Sequence, residues 1–321
     1  MNQRLKKLLK TILPIALGVF LVWYSYQITG EEERRQIIHY VREADLFWVA
    51  VSVLIGILSH ISRAIRWNYL LQPMGYRPKI INNVLIILMA YFANLGIPRS
   101  GEVLRATALA TYENVPFQKG FGTIVTERVI DLLMLLLIIV IALVLQTDII
   151  LGFLEGRGFS LVGTLVLAGV GILGLFVFLA FLRRSKSKLA LKVRTLVKGL
   201  LDGVMSIFRM EKKLLFVAHT LFIWSCYIAM FWVIKYTVPE TIGLGLDQLL
   251  VAFVAGAFAM TTTNGGIGLY PIAVSGALAI FGISSVSGDA FGWIMWIAQT
   301  LMVVVFGAIS FLLLPLLNRN R

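Results

Sequence analysis

Asn94-Leu95-Gly96-Ile97-Pro98-Arg99-Ser100-Gly101-Glu102-Val103-Leu104-Arg105 places glycine, proline and charge between two apolar helical stretches. A second break, Asn264-Gly265-Gly266-Ile267-Gly268-Leu269-Tyr270-Pro271, again begins Asn-x-Gly-Ile. Proline and glycine interrupt helices, so each break needs surroundings that satisfy its freed backbone groups. What those surroundings are follows from the rest of the chain.

With 59% apolar and 14% charged residues over 321 positions, and a mean hydropathy of +0.89, the chain is not an ordinary water-soluble globule. Apolar runs of the roughly 20 residues that a helix needs to cross a hydrocarbon core recur from Thr11 onward. The period-2 alternation of a membrane β-barrel is absent. The fold class is therefore an all-α polytopic membrane protein. Thr11 to Ile28 follows four basic residues as a signal peptide would, but its apolar core is too long, and no small-x-small cleavage site precedes Glu31-Glu32-Glu33. It reads as a retained helix. The single cysteine, Cys226, excludes an intrachain disulfide. The net charge of +13 lies at helix ends and in one loop, which fits topology signals and anionic lipid headgroups rather than nucleic acid.

Basic residues crowd the stretch from Arg183 to Lys213, which the positive-inside rule places in the cytoplasm with both termini. Six full crossings satisfy this constraint, over 11–29, 46–70, 121–145, 160–182, 214–236 and 290–316. Two apolar stretches remain, Ile80 to Lys119 and Leu246 to Ile283, each beginning and ending on one side. They are either pairs of crossings or re-entrant hairpins. Irregular backbone at membrane depth requires protein or a wet cavity around it, which favours two hairpins of opposite orientation with tips at the two breaks. Taken as span, span, hairpin, span in each half, the chain has the plan of an inverted-topology repeat, 11–145 and 160–316, with the basic loop 183–213 inside the second. Asn94 and Asn264 lie 170 positions apart, and the flanking spans are offset by about 167 to 170. A coincidence of hydropathy is the competing explanation.

Four groups of residues are candidates for chemistry. Glu127, Arg128 and Asp131 share one side of an otherwise apolar helix, where each charge costs about 2.5–3.5 kcal/mol unless it pairs or lines a cavity. Arg63 and Arg66, one turn apart beside Trp67 and Tyr69, are either interface anchors or contacts for a lipid phosphate. Arg99 and Arg105 belong to the first break. There Ser100 or Gly101 opens a returning half-helix whose free N–H groups favour an anion, with Glu102 as internal counter-charge. The second tip, Thr263, Asn264, Gly265, Gly266, Gly268 and Pro271, offers uncharged polar groups or a packing hinge. No HExxH, CxxC, Walker lysine loop or Asp-x-Asp pair occurs, and the three histidines are scattered, so neither a metal site nor a cofactor is expected.

Arg63-x-x-Arg66-Trp67, Pro98-Arg99-Ser100-Gly101-Glu102-Val103-Leu104-Arg105, Glu127-Arg128-x-x-Asp131 and Gly265-Gly266-Ile267-Gly268, in this order, resemble the lysylphosphatidylglycerol synthase transmembrane-region family. That is the flippase-like domain also found at the N-terminus of the multiple peptide resistance factor. The resemblance covers nearly the whole chain. It implies a prokaryotic inner-membrane protein related to lipid translocases, with re-entrant helices and a phospholipid cavity. Two departures matter. No aminoacyl-transferase domain follows the last span, so aminoacyl-lipid synthesis is not implied, and Pro271 stands where many members carry an acid.

The expected function is a flippase-like lipid translocase. An anionic phospholipid or polyprenyl-phosphate headgroup would meet Arg63, Arg66, Arg99 and Arg105, while Glu102, Glu127, Arg128 and Asp131 form the cavity wall. No catalytic residue is expected for that role. A membrane-embedded transferase using Glu102 or Asp131, and a non-catalytic partner of a lipid-modifying enzyme or solute carrier, are the alternatives, and a homo-oligomer is compatible with each.

Overall fold

The computed structural model describes residues 3–147, 191 and 210–319. Within them the chain is all-helical and polytopic, without strands. The helices are α1 (Gln3–Ile28), α2 (Glu31–Arg42), α3 (Leu46–Leu71), α4 (Ile80–Gly96), α5 (Ser100–Glu113), α6 (Phe117–Leu145), α7 (Lys213–Ile234), α8 (Leu246–Thr262), α9 (Leu269–Ala279) and α10 (Ser285–Leu317). Helices α3, α6, α7 and α10 are long and apolar enough to cross a membrane, and they sit where the hydropathy reading put spans. The span expected over 160–182 lies outside the described residues, as does most of the basic loop.

Both breaks form the turns of helical hairpins, α4–α5 and α8–α9, whose arms pack on each other. The arms have 17 and 14 residues in the first and 17 and 11 in the second. At about 1.5 Å per residue, none reaches the roughly 30 Å of a hydrocarbon core. The packing follows a regular exchange: α3·α4, α4·α5 and α5·α6 have counterparts in α7·α8, α8·α9 and α9·α10. The crossed pairs α4·α10 and α6·α8 match in the same way, and α3 packs on α7 at the centre. Two apolar cores result. One gathers around Trp67, Leu109 and Ile124, the other around Phe231, Phe253 and Phe291.

Helix α2 is the element that the hydropathy reading lacked. It is short, with half of its residues charged and none buried, and it packs on α10. Nearby, Glu240 accepts hydrogen bonds from the Ser284 N–H (3.0 Å) and hydroxyl (2.5 Å), and hydrogen bonds from Ser284 and Ser287 hold its carboxyl below the usual range. This fastens the turn before α8 to the start of α10.

The first tip turns tightly for local reasons. Ile97 is extended, as a residue before proline prefers, and Arg99 adopts a left-handed conformation (φ 62°). The Asn94 side chain accepts from the Gly101 N–H at 2.7 Å, and Ser100 Oγ donates to the Ala93 carbonyl at 3.1 Å. Gly101 is required by close approach, because a Cβ there would overlap the Ala90 carbonyl oxygen. In the second tip Gly265, Gly266 and Gly268 all have positive φ, and a Cβ on Gly268 would strike the backbone of α1 at Gly18 and Val22. The two tips touch: Asn264 Nδ2 donates to the Leu95 carbonyl at 2.6 Å.

Gly101→Ala is expected to lower the thermal midpoint of the detergent-solubilised protein, because the methyl group forces α5 away from α4. Gly96, whose Cβ position faces open space, serves as the control. Gly96→Ala should leave the midpoint unchanged or raise it, since alanine in a helix gains up to about 1 kcal/mol over glycine. Equal behaviour of the two variants in a thermal-shift assay would contradict the packed hairpin.

Candidate functional site

Helix α6 runs between the two cores, with Ile124 in the first and Ile138 in the second. The residues between them are the charged ones. Glu127 and Asp131, four apart, lie on one face and turn toward α3 and α5. Asp131 receives Arg63 at 2.7 Å and Arg66 at 3.1 Å; Glu127 receives Arg66 at 3.4 Å and Arg105 at 2.5 Å. Helix α7 completes the cluster, with Arg63 donating to Tyr227 OH (3.1 Å) and Arg66 to Thr220 Oγ1 (3.1 Å). Arg105 also lies over the Trp67 ring at 3.8 Å, and the Trp67 indole N–H is held by Thr123 Oγ1 at 2.8 Å. Side-chain exposure is 0–5% for Arg63, Arg66, Arg105 and Glu127 and 13% for Asp131.

Arg128 differs. Its side chain is 45% exposed, it bonds Glu102 on α5 at 3.0 Å, and it lies 3.9 Å from Asp131. Four guanidinium groups thus face three carboxylates, Glu102, Glu127 and Asp131, leaving one positive charge in excess within the cluster. A net charge at membrane depth is costly unless an anion or water meets it.

Beside this cluster lies a cavity of about 380 Å³ bounded by α3, α4, α6, α7, α8 and α10. Arg63, Arg128 and Asp131 form its charged end with His60, Tyr91 and Tyr227. Its other walls are apolar or uncharged, including Leu135, Phe231, Phe253, Met295, Gln299 and Thr300. Of the lining residues, Arg128, Leu132, Met260 and Thr261 are exposed, which places the cavity's mouth between α6 and the tip of α8.

Several site residues read from the sequence fall into place differently from one another. Arg63, Arg66 and Arg105 come together with Glu127 and Asp131, but only Arg63 reaches the cavity wall. Arg66 and Arg105 stand behind it, engaged by carboxylates. Arg99 is exposed on the outside of its turn and is not among the lining residues. The Gly101 N–H, expected to be free for an anion, is occupied by Asn94. In the second tip Gly265 alone lines the cavity, and its carbonyl accepts from Trp296 Nε1 at 2.8 Å. Thr263, Asn264 and Gly266 are buried, Gly268 abuts α1, and Pro271 packs on Gly292. His60, Tyr91, Trp224, Tyr227 and Gln299 were missed. A usable signal existed for two pairs, since His60 with Arg63 and Trp224 with Tyr227 are spaced one helical turn apart on otherwise apolar helices.

UPF0104 membrane protein MJ1595 of Methanocaldococcus jannaschii is 24% identical over 276 residues, covering 82% of this chain and 75% of its own length. Glycosyltransferase AglD of Haloferax volcanii is 31% identical over 127 residues, which are 39% of this chain and 19% of that protein. No solved structure matches. The family described as lysylphosphatidylglycerol synthase TM region matches residues 11–307, and the chain belongs to it.

Proposed function

We propose that the protein moves a lipid with an anionic phosphate headgroup across a membrane, seating the headgroup in the cavity beside α6. The observation that carries this reading is the excess positive charge of the cluster at the cavity's charged end, next to apolar walls and a mouth between α6 and α8. A phosphodiester supplies the missing negative charge, and a guanidinium bonds phosphate with charge assistance. Its acyl or prenyl tails remain outside, in the hydrocarbon. Arg128 is the recognising group, because it is half exposed and exchanges Glu102 for phosphate without dismantling the buried pairs. Arg63 supports it, while Arg66, Arg105 and Glu127 hold α3, α5 and α6 in place.

The reading includes the membrane arrangement. The short arms of α4–α5 and α8–α9 support re-entrant hairpins entered from opposite sides. The matched and crossed helix pairs support an inverted repeat with its meeting point at Asn264 and Leu95. Such repeats carry their substrate sites between discontinuous helices near the midplane. We place both termini on the cytoplasmic face of a prokaryotic inner membrane. A second reading, a membrane module serving glycosyl transfer on a lipid-linked donor, is favoured by the similarity to part of AglD. Its sign is a covalently altered lipid in mass spectra of membranes from overexpressing cells.

In proteoliposomes carrying fluorescent phosphatidylglycerol, Arg128→Gln is expected to slow scrambling at least tenfold, which corresponds to about 1.4 kcal/mol. Arg99→Ala should stay within about twofold of wild type. The opposite pattern would move the phosphate site to the hairpin tip. Glu127→Gln is expected to act on folding instead, since removing one partner of a buried ion pair costs about 3–5 kcal/mol. Its signature is loss of a monodisperse peak in size-exclusion chromatography; a stable, inactive Glu127→Gln protein would contradict the structural role.

A further inference from the structure

Of the three carboxylates in the cluster, Glu102 is held least. We infer that it is an internal competitor for Arg128, an acid that occupies the recognising guanidinium while the headgroup is absent and reclaims it on release. The inference rests on the phosphate reading above and adds to it a residue that sets how long the lipid stays.

The argument begins with which acid holds which base. Glu127 joins Arg66 and Arg105, and Asp131 joins Arg63 and Arg66; all five side chains are 13% exposed or less. Glu102 pairs with Arg128 alone among the described residues, at 3.0 Å, and the two side chains are 23% and 45% exposed. An ion pair this open to solvent adds little to stability. Fastening α5 to α6 does not require it, because Arg105 and Glu127 do so from within.

Its position suggests another use. Arg128 and Tyr91 line both the cavity and a separate void of about 10 Å³ between α4, α5 and α6, whereas Glu102 lines only the void. Arg128 thus stands between two places for an anion, a carboxylate on the α5 side and a phosphate on the cavity side. Its Nη2 donates to Glu102 Oε1, and its Nη1 lies 3.9 Å from Asp131, which Arg63 and Arg66 already engage. A phosphate that takes the guanidinium fork in two bonds therefore displaces Glu102. The displaced carboxylate meets solvent, which Glu127 in its buried place would not.

Affinity then follows from competition. The lipid binds the fraction of molecules in which Arg128 is free, and its apparent dissociation constant rises as that fraction falls. Release is quickened in return, because Glu102 recaptures the guanidinium. A carboxylate that only oriented Arg128 would have the opposite sign: its removal would weaken the lipid, whereas removal of a competitor tightens it.

The test is a double-mutant cycle on the purified full-length chain in detergent, read by native mass spectrometry as retention of phosphatidylglycerol over phosphatidylcholine of matched acyl chains. Glu102→Gln, which keeps shape and removes the charge, is expected to raise that ratio about threefold or more. Loss of a negative charge favours any anion through the field alone, and a second arm separates the causes. In an Arg128→Gln background, Glu102→Gln should change the ratio by less than about 1.5-fold. In proteoliposomes saturated with fluorescent phosphatidylglycerol, Glu102→Gln should slow scrambling about twofold or more, because release is slower. A ratio unchanged or lowered by Glu102→Gln overturns the inference, as does an equal rise in both backgrounds or a rate at saturation that does not fall. Should Glu102→Gln give no monodisperse peak, Glu102→Asp draws the charge back by one methylene and reads the same prediction: a raised ratio supports competition, and a wild-type or lower ratio overturns it. If wild type retains phosphatidylglycerol no better than phosphatidylcholine, the phosphate reading itself fails.

Discussion

The contact on which the rest depends is the bridging of Glu127 between Arg105 and Arg66. It joins α5 of the first hairpin to α6 and α3 across sequence separations that no local signal spans. Helices have little hydrophobic reason to associate inside a bilayer, since lipid tails are as apolar as leucine. A buried ion pair supplies a direction that apolar packing does not: Glu127 without Arg105 is an uncompensated carboxylate in a medium of low dielectric. The arrangement has its cost, because both partners lose water, and it is offset here by Thr220 beside Arg66 and the Trp67 ring beneath Arg105. The charges therefore sit at the seam between two apolar cores and fix how those cores meet.

The hairpin tips solve a related problem with neutral groups. A helical hairpin exposes at its turn the carbonyls of one helix and the N–H groups of the next. Asn94 serves its own turn by accepting from Gly101, whereas Asn264 reaches across to the Leu95 carbonyl. Two similar Asn-x-Gly-Ile sequences thus do different work. The first closes a hairpin, and the second joins the hairpins to each other. The glycines of the second tip then let α1 approach the turn, which leaves little of that tip to face a ligand.

How much of this was legible in the sequence depends on the range of the interactions involved. The four spans at α3, α6, α7 and α10 were, because twenty apolar residues in a row have few other uses. The hairpins were, because glycine and proline act on their immediate neighbours. Helix α2 was not, since its charged residues carry no hydropathy signal. Arg63 and Arg66 beside Trp67 looked like an interfacial belt, a reading based on neighbours in sequence; their partners are 61 to 68 positions away on α6. The exposure of Arg99 was equally hidden. It follows from a left-handed residue at the turn, a conformation more usual for glycine or asparagine. Gln299 went unnoticed because one amide in an apolar helix has no pattern.

Charge arithmetic within the cluster gives the site its direction. If the carboxylates matched the guanidinium groups one for one, the cluster would be complete and indifferent to ligands. Arg128 has Glu102 to itself, while Arg63, Arg66 and Arg105 share Glu127 and Asp131, so the cluster reaches neutrality only when an anion stands beside it, and Arg128 is its exposed member. The apolar walls and the opening between α6 and α8 then decide which anions arrive. A free ion would have to shed its water to enter a mostly apolar chamber, whereas a lipid headgroup enters from the side with its tails still in hydrocarbon. On the proposed function, the same excess charge would limit the headgroup to about one negative charge, since a second would leave the cluster as unbalanced as before.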